Sequence, residues 1–309
     1  MQYNHFVIAT LMMVYFESFS LSDDTKDNND EKNKMKTKIN IVAIQSNVSK
    51  DIDISINNLL KKIDEIKYRK NSIVILHELS FYRYIAITKT KKYHKFALKL
   101  DDNVIGEFIK LCNRKNIHLL LPIFEKKGKK FHNSAIVISP NHKVIGIYRK
   151  QHLPEETCYH EKYYFSSFKN TKNVFDLGFC KLGVGICWDQ WHPSTYKNLV
   201  KNKADLIVFP TSIGTAYQKN KIISLKNEKK MWRMVMQANS LMYNTPIVVV
   251  NRIGVESSIN RKIRFWGSSF ITNHSGQIIQ DLKNKSGVMT CEIDTKERKI
   301  HQKKWGFIE

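Results

Sequence analysis

The sequence predicts a mixed α/β sandwich that forms one domain. Short apolar runs of strand length alternate with segments whose apolar residues recur at helical spacing, and hairpins are interspersed among them. Hydrophobic residues make up 42% and aromatic residues 11% of the 309 residues, which is typical of a globular chain with a sizeable core. The sequence contains no internal repeat, and no low-complexity linker follows residue 38.

The first half of the predicted domain alternates strands with helices. INIVAIQ (39–45), SIVIL (72–76) and HLLLPIF (118–124) are apolar runs bounded by polar residues, as expected of buried strands. Between them, residues 56–66 and 104–112 place apolar side chains at intervals of three and four, which predicts two helices. This order is typical of strands connected by helices.

The second half is richer in strands. NSAIVIS (133–139) and KVIGIYRK (143–150) flank Pro140 and Asn141 and predict a hairpin. One helix is predicted over MWRMVMQANSLM (231–242). The remaining predicted strands are KLGVGIC (181–187), ADLIVFP (204–210), IVVVN (247–251), SSFIT (268–272) and GVMTCEI (287–293).

Residues 1–34 are predicted to be a leader that is disordered or not part of the fold. FVIATLMMVYF (6–16) is apolar, but its eleven residues fall short of the about 20 that cross a bilayer. No Lys or Arg precedes this run, so it lacks the basic start of a secretory signal. DDTKDNNDEKNK (23–34) has the composition of a disordered linker. We therefore predict the domain over 35–309 and no membrane partner.

The charge balance is strongly basic, with a formal net charge of +23. Such a charge can indicate binding to nucleic acid or to a membrane surface. However, the 51 basic residues comprise 9 arginines and 42 lysines, whereas nucleic-acid readers rely on arginine. The lysines are also scattered among asparagines rather than clustered. A solvated surface explains this pattern, so we predict no nucleic-acid partner.

The cysteines indicate a reducing compartment. There are five, at positions 112, 158, 180, 187 and 291, and no two of them form a C-x-x-C pair. An odd number without paired spacing argues against a disulfide framework and against a zinc site. We therefore expect a cytoplasmic protein with no bound metal.

Three predicted strands end at polar residues that carry different chemistry. Glu78, Lys150 and Cys187 each stand at the end of an apolar run, which is where α/β folds build their sites. A thiol can attack a carbonyl, and a carboxylate can take the thiol's proton and later activate water. An ammonium can stabilise the oxyanion that forms. These three groups together suffice for amide hydrolysis.

A cysteine–histidine site is the main alternative at this point. His192 lies five residues after Cys187, and His132 and His152 are further candidates. His192 precedes a proline and is expected in a turn, and the sequence fixes no orienting partner for any of the three. The motifs typical of ATP, metalloprotease zinc and dinucleotide binding do not occur, so these cofactors are not expected.

Several motifs resemble those of the nitrilase family of carbon–nitrogen hydrolases and occur in the family's order. The resemblance extends from about Lys36 to the C-terminus. Its most specific part is the CWDQW run, which is most similar to the N-carbamoylputrescine amidases. The motifs are YRKQHLPEETCYHEKYYF (148–165), ICWDQWHP (186–193), PTSIG (210–214), WRMVMQANS (232–240) and VVNRIG (249–254).

The resemblance implies a four-layer α-β-β-α sandwich and assigns a role to each residue at the strand ends. Glu78 matches the family's general base, Lys150 its oxyanion-stabilising lysine and Cys187 its nucleophile. Glu161 matches a supporting carboxylate, and the backbone N–H of Trp188 would complete the oxyanion hole. This chemistry needs no metal and no organic cofactor.

The implied activity is that of a thiol amidohydrolase. It would convert N-carbamoylputrescine into putrescine, carbon dioxide and ammonia, a step of polyamine biosynthesis, so the expected partner is a small-molecule carbamoyl amine. Tyr84, Asp189 and Trp191 are predicted to contact this substrate. Asp189, Glu155 and Glu156 are acids available to its cationic end.

Two alternatives for the function stay open. An N-carbamoyl amino acid or a dicarboxylate monoamide would carry an anionic end, and Arg83 in the pocket would favour such a substrate. The other alternative is a decayed member of the family that keeps the fold without catalysis. A homo-oligomer is expected, weakened because the chain stops at WGFIE (305–309), short of a tail that is common in the family.

Overall fold

The computed structural model describes residues 38–141, 143–170 and 172–305, so the predicted leader over 1–34 lies outside the described residues. Within them, the strands are β1 (Lys38–Gln45), β2 (Ser72–Leu76), β3 (His118–Lys127), β4 (Lys130–Ser139), β5 (Lys143–Arg149), β6 (Glu155–Glu156), β7 (Tyr159–His160), β8 (Val174–Asp176), β9 (Lys181–Val184), β10 (Leu206–Thr211), β11 (Gly214–Gln218), β12 (Lys221–Ile222), β13 (Ile247–Asn251), β14 (Ile253–Ser258), β15 (Arg261–Trp266), β16 (Phe270–Thr272), β17 (Ile278–Asp281) and β18 (Gly287–Asp294). The helices are α1 (Ile52–Glu65), α2 (Asn103–Lys115), α3 (Glu161–Tyr164), α4 (Pro193–Lys201), α5 (Glu228–Met242) and α6 (Thr295–Trp305).

Two six-stranded sheets form the centre of the fold. The first has the order β18-β1-β2-β3-β4-β5, and the second has the order β17-β16-β13-β10-β9-β8. β1, β2 and β3 run parallel in the first sheet, as do β9, β10 and β13 in the second. At one edge of the first sheet, β1 pairs antiparallel with β18 from the other end of the chain. Parallel neighbours need a crossover connection, and helices supply these connections here.

The two sheets pack face to face, and helices cover their outer faces. Ile41 of the first sheet and Val208 of the second belong to one buried cluster between the sheets. On the outer side of the first sheet, Phe108 of α2 packs with residues of α1 and the sheet. On the outer side of the second sheet, Trp232 of α5 packs with residues of α4 and the sheet. This arrangement confirms the predicted four-layer α-β-β-α sandwich.

The topology gathers several strand ends at one edge of the sandwich. Glu78 lies just after β2, and Lys150 comes directly after β5. Ser212 follows β10, and its hydroxyl donates to the carbonyl of Glu78 over 3.2 Å, so the carboxyl ends of strands from both sheets meet there. Parallel sheets commonly carry their sites at this edge, because successive strand ends open into a shared crevice.

The predicted strand KLGVGIC (181–187) is shorter in the structure than the sequence suggested. β9 ends at Val184, and Cys187 opens a 3₁₀ turn over Cys187–Trp191 instead of ending the strand. The apolar run continues to the thiol because Ile186 is buried, not because it pairs in the sheet. Among the residues that the structure describes, no helix has the length and apolar composition needed to cross a bilayer.

Candidate active site

The side chain of Lys150 lies between two buried carboxylates. Its Nζ is 2.8 Å from Oε1 of Glu78, and 2.8 and 2.7 Å from Oε1 and Oε2 of Glu161. None of the three side chains is exposed to solvent. A buried ammonium needs such partners, since an unpaired charge in the interior is costly.

Asn133 and Tyr84 fix the positions of the two carboxylates. Asn133 in β4 donates from Nδ2 to Oε1 of Glu78 over 2.7 Å, and its carbonyl accepts the backbone N–H of Lys150 over 2.8 Å. The hydroxyl of Tyr84 donates to Oε1 of Glu161 over 2.6 Å. The cluster is therefore held by hydrogen bonds from elements on either side of it.

The turn that carries Glu78 is held by a buried arginine. Leu79, the next residue, has a φ of +48°, a conformation that is unfavourable for a side chain larger than glycine. Arg252 donates from Nη2 to the carbonyls of Glu78 (2.8 Å) and Leu79 (3.0 Å) and from Nη1 to the carbonyl of Tyr82 (3.0 Å). These bonds stabilise a backbone conformation that would otherwise be strained.

Cys187 occupies a strained position of its own. Its φ is +45°, it is the first residue of the 3₁₀ turn, and it is almost wholly buried. A non-glycine residue in this region costs about 1–3 kcal/mol and is common where a reactive side chain must project from a tight turn. Lys150, Glu78 and Glu161 all lie within electrostatic reach of its sulfur. The structure thus brings the three predicted strand-end residues and Glu161 together.

The surroundings set the protonation of these groups. Burial raises the pKa of the Cys187 thiol well above its ordinary value and Glu78 adds to the rise, while Lys150 and the backbone N–H of Ser212 oppose it. Burial also raises the pKa of Glu161 to about 7, although Lys150 lowers it. Burial acts against the charge of Lys150, but Glu161 and Glu78 outweigh burial and keep its pKa above the ordinary value.

The resting site therefore holds a charged lysine and a protonated thiol near a carboxylate. Oε2 of Glu78 is buried and accepts no hydrogen bond within the described part of the chain. This oxygen is available to take a proton. A protonated thiol, an acceptor oxygen and a fixed cation are the groups that thiol-dependent attack on a carbonyl needs.

A model of the carbon–nitrogen hydrolase family matches residues 38–300. The chain belongs to the carbon–nitrogen hydrolase family. It is 30% identical to a citrullinase of Francisella tularensis over 87% of this chain and 93% of that protein. It is 29% identical to an N-carbamoylputrescine amidase of Arabidopsis thaliana over 86% of this chain and 90% of that one. A crystal structure of a carbon–nitrogen hydrolase from Helicobacter pylori superposes with a TM-score of 0.80 at 26% identity, covering 87% of this chain and 94% of the other.

Asp189 does not occupy the position expected of a substrate contact in this carbon–nitrogen hydrolase. It is completely buried, and its carboxylate accepts hydrogen bonds from Tyr148, Ile186 and, twice, His152. A carboxylate has about four lone-pair positions, and these four donors occupy them. The structure therefore does not support a direct contact between Asp189 and a cationic substrate.

The other predicted contacts differ in their surroundings. Tyr84 is buried, with its hydroxyl directed at Glu161, so it belongs to the charged cluster. Trp191 is partly buried beside Trp188, with ring centroids 6.3 Å apart, and its indole N–H has no acceptor within the described residues. Glu155 forms an ion pair of 2.7 Å with Lys89, which makes it less available to a ligand.

The three histidines considered for a cysteine–histidine site contact groups other than Cys187. His152 donates from Nδ1 to Asp189, and His192 stacks on His152 with ring centroids 3.6 Å apart. His132 bonds through Nδ1 to the carbonyl of Ser166. None of the three is among the groups that act most strongly on the charge of Cys187. The structure therefore favours the glutamate–lysine arrangement of this hydrolase family over a cysteine–histidine pair.

Three residues of the site were missed in the sequence. Asn133 opens an apolar strand run, Arg252 follows another, and Ser212 lies inside PTSIG (210–214). Ser212 and Arg252 each follow a strand, which is the same signal that identified Glu78, Lys150 and Cys187, whereas Asn133 lies inside β4. Arginine and asparagine at such positions are usually solvated, so only the burial seen in the structure distinguishes them.

Proposed function

We propose that this carbon–nitrogen hydrolase removes the terminal ureido group of an N-carbamoyl amine, with N-carbamoylputrescine as the substrate. The observation that carries the proposal is the buried Lys150 ammonium held between Glu78 and Glu161 next to the Cys187 thiol. With water, the reaction yields putrescine, carbon dioxide and ammonia.

The geometry suggests the order of steps. Glu78 takes the thiol proton through its free Oε2 as the sulfur of Cys187 attacks the ureido carbonyl. Lys150 and the backbone N–H of Trp188 stabilise the oxyanion, because the first amides of a helical turn lack an acceptor within the turn. Ammonia leaves with the proton that Glu78 held. Water activated by Glu78 then releases an N-carboxy amine, which loses carbon dioxide.

Two carboxylates near the site support a substrate with a cationic end. The hydroxyl of Tyr159 lies within electrostatic reach of Cys187, Glu228 and Glu156. Burial, together with the charge of Glu156, raises the pKa of Glu228, so the two carboxylates repel each other. An ammonium group placed between them would relieve this repulsion. Arg83, the residue that would favour an anionic end, is paired with Glu256 over 3.6 Å.

Citrulline is the second candidate substrate. The observation that favours it is the 30% identity to the citrullinase of Francisella tularensis. Citrulline carries the same terminal ureido group as N-carbamoylputrescine, but its far end has a carboxylate beside the ammonium. The proposed acidic surroundings, Glu156 and Glu228, would accept the ammonium and repel the carboxylate. We therefore place N-carbamoylputrescine first.

The test is ammonia release, measured side by side with N-carbamoylputrescine, L-citrulline and N-carbamoyl-β-alanine. We expect the highest kcat/KM with N-carbamoylputrescine, by at least about tenfold over N-carbamoyl-β-alanine, since one buried charge left without a partner costs about that much. Glu228→Gln should reduce the ratio of kcat/KM for N-carbamoylputrescine to kcat/KM for N-carbamoyl-β-alanine. The control is Glu155→Gln, because Glu155 is already paired with Lys89.

The reverse order of substrates would assign the chain to the carbamoyl amino acid amidases, and Arg83 would then be the first residue to change. A higher kcat/KM with L-citrulline would identify a citrullinase. No ammonia from any of the three compounds, nor from simple amides, would support the decayed alternative.

A further inference from the structure

The carboxylate of Asp189 is bonded to the segment that carries Lys150. Its Oδ2 accepts the hydroxyl of Tyr148 over 2.8 Å. Its Oδ1 accepts the backbone N–H of His152 over 2.9 Å and Nδ1 of the same residue over 2.7 Å. Tyr148 and His152 lie two residues before and two residues after Lys150. The position of the lysine backbone is thus fixed from both sides by one side chain.

The same carboxylate is bonded to the turn that carries Cys187. Oδ2 of Asp189 also accepts the backbone N–H of Ile186 over 2.9 Å, and the backbone N–H of Asp189 donates to the carbonyl of Ile186 over 3.0 Å. These two bonds close the turn around Cys187 and hold it at a φ of +45°. They offset the cost of a conformation that a non-glycine residue rarely adopts.

We propose that Asp189 is a positioning residue that sets the distance between the Cys187 thiol and the Lys150 ammonium. The proposal rests on the hydrolytic function proposed above. Asp189 does not touch substrate, because its four acceptor positions are occupied by protein donors. It acts by joining the nucleophile turn of the second sheet to the lysine segment of the first, so the two groups cannot separate without breaking hydrogen bonds to a buried carboxylate.

Asp189→Asn tests this inference because it preserves the volume and removes the charge. Whichever way the amide is turned, its NH₂ group faces at least one backbone N–H, either of Ile186 or of His152, and that bond is lost. A misplacement of about 1 Å at reacting groups can cost about 10²-fold in rate. We expect Asp189→Asn to lower kcat at least about tenfold and to leave KM within about twofold.

A double-mutant cycle with Lys150→Met separates positioning from general destabilisation. If Asp189 acts through the lysine, the double variant should be no slower than Lys150→Met alone, within about twofold. If the two losses multiply, Asp189 acts independently of Lys150 and the inference is overturned. An unchanged kcat in Asp189→Asn would also overturn it.

A second readout does not depend on the substrate. The rate of alkylation of Cys187 by iodoacetamide, followed by mass spectrometry of its peptide, reports the reactivity of the thiol in all variants. We expect alkylation to be slower in Asp189→Asn and in Lys150→Met, and no slower in the double variant than in Lys150→Met. Cys291, which is partly exposed, serves as the internal reference. Lack of hydrolysis by the wild type would refute the proposed function, yet the alkylation cycle would still test the positioning.

Two further variants guard against a trivial loss of folding. Tyr148→Phe removes one of the four hydrogen bonds, so it should act in the same direction with a smaller effect, and it tests the inference if Asp189→Asn does not fold. Asp205→Asn is the matched control. Asp205 also accepts a backbone N–H, that of Lys181 over 2.9 Å, and it pairs with Arg298 over 2.9 Å. It should lower the melting temperature and leave kcat within about twofold, because it belongs to neither segment of the site.

Discussion

The ammonium of Lys150 lies 2.8 Å from the carboxylate of Glu78, and neither side chain is exposed to solvent. A pair of this kind contributes little net stability, because the cost of removing two charges from water is of the same order as their attraction. Its burial is better explained by chemistry, since a fixed cation beside a base and a thiol is worth more in a dry site than in water.

Cys187→Ala should abolish ammonia release, and Cys187→Ser should nearly do so, because an alcohol is a far weaker nucleophile than a thiol activated by a base. Both variants should remain folded, since the volume change is small. The control for activity is Cys291→Ala, the same substitution at a partly exposed cysteine of β18. Turnover near the wild-type rate in Cys187→Ala would refute the proposed nucleophile.

Lys150→Met keeps most of the apolar stem of the side chain and removes the charge. We expect kcat/KM to fall at least about 10²-fold, which is the typical cost of removing one oxyanion-stabilising group. Lys162→Met, at an exposed lysine in α3, should have no such effect. The measurement is initial rates of ammonia release with circular dichroism to confirm folding, and a loss under tenfold would place Lys150 outside the chemistry.

Tyr84→Phe should move the acid limb of the kcat/KM profile to higher pH. Burial raises the pKa of Glu161 to about 7, and the hydrogen bond from Tyr84 counteracts this rise by stabilising the ionised form. Without that bond the pKa rises further, so the ionised cluster is lost at a higher pH. Tyr163→Phe, at an exposed tyrosine of α3, is the control. An acid limb that stays in place would show that Glu161 does not govern it.

His77→Asn should weaken the pH dependence of stability on the acid side. Burial, followed by the charge of Arg252, lowers the pKa of His77 from 6.5 to about 3. The stability that comes from keeping this ring neutral is present above pH 6.5 and is lost as the pH falls towards 3, because only the unfolded chain binds the proton there. Each such proton contributes about 1.4 kcal/mol per pH unit.

The measurement for His77→Asn is the free energy of unfolding in urea at pH 7.5, 6.0 and 5.0, values chosen around that range. Plots of the free energy of unfolding against pH should run parallel for the wild type and the variant above pH 7, and they should converge below about pH 6. If the free energy of unfolding changed with pH equally in the wild type and in the variant, His77 would bind a proton in the folded protein as readily as in the unfolded chain. The burial of His77 argues against this result.

Strand positions could be predicted from the sequence because they depend on local patterns, and the three strand-end residues Glu78, Lys150 and Cys187 do lie together in the structure. β2 and β13 have the predicted bounds, since a continuous apolar run is what a strand buried on both faces requires. The β14–β15 hairpin was missed because polar and charged residues interrupt its apolar ones, and Ile259 in its turn is exposed. A half-exposed hairpin lacks the apolar run on which the other strands were recognised.

The direction of a side chain could not be predicted from the sequence, and Asp189 was therefore wrongly expected to contact the substrate. Asp189 is two residues from the thiol, so sequence proximity suggested a pocket residue, but the turn at Cys187 directs its carboxylate into the protein. Glu228 lies far along the chain from Cys187, and no pattern connects them. The homo-oligomer and the cytoplasmic location stay predictions.

The pairing of β1 with β18 determines when this protein can finish folding. β1 is the first described strand to leave the ribosome, and its antiparallel partner is the last, with Ile41 opposite Cys291. Throughout synthesis, one edge of β1 therefore has unpaired backbone groups that another nascent chain could bind. Contacts between residues this far apart in sequence slow folding. In a cell that makes this protein at high level, the nascent chain should consequently need chaperones more than the folded protein does.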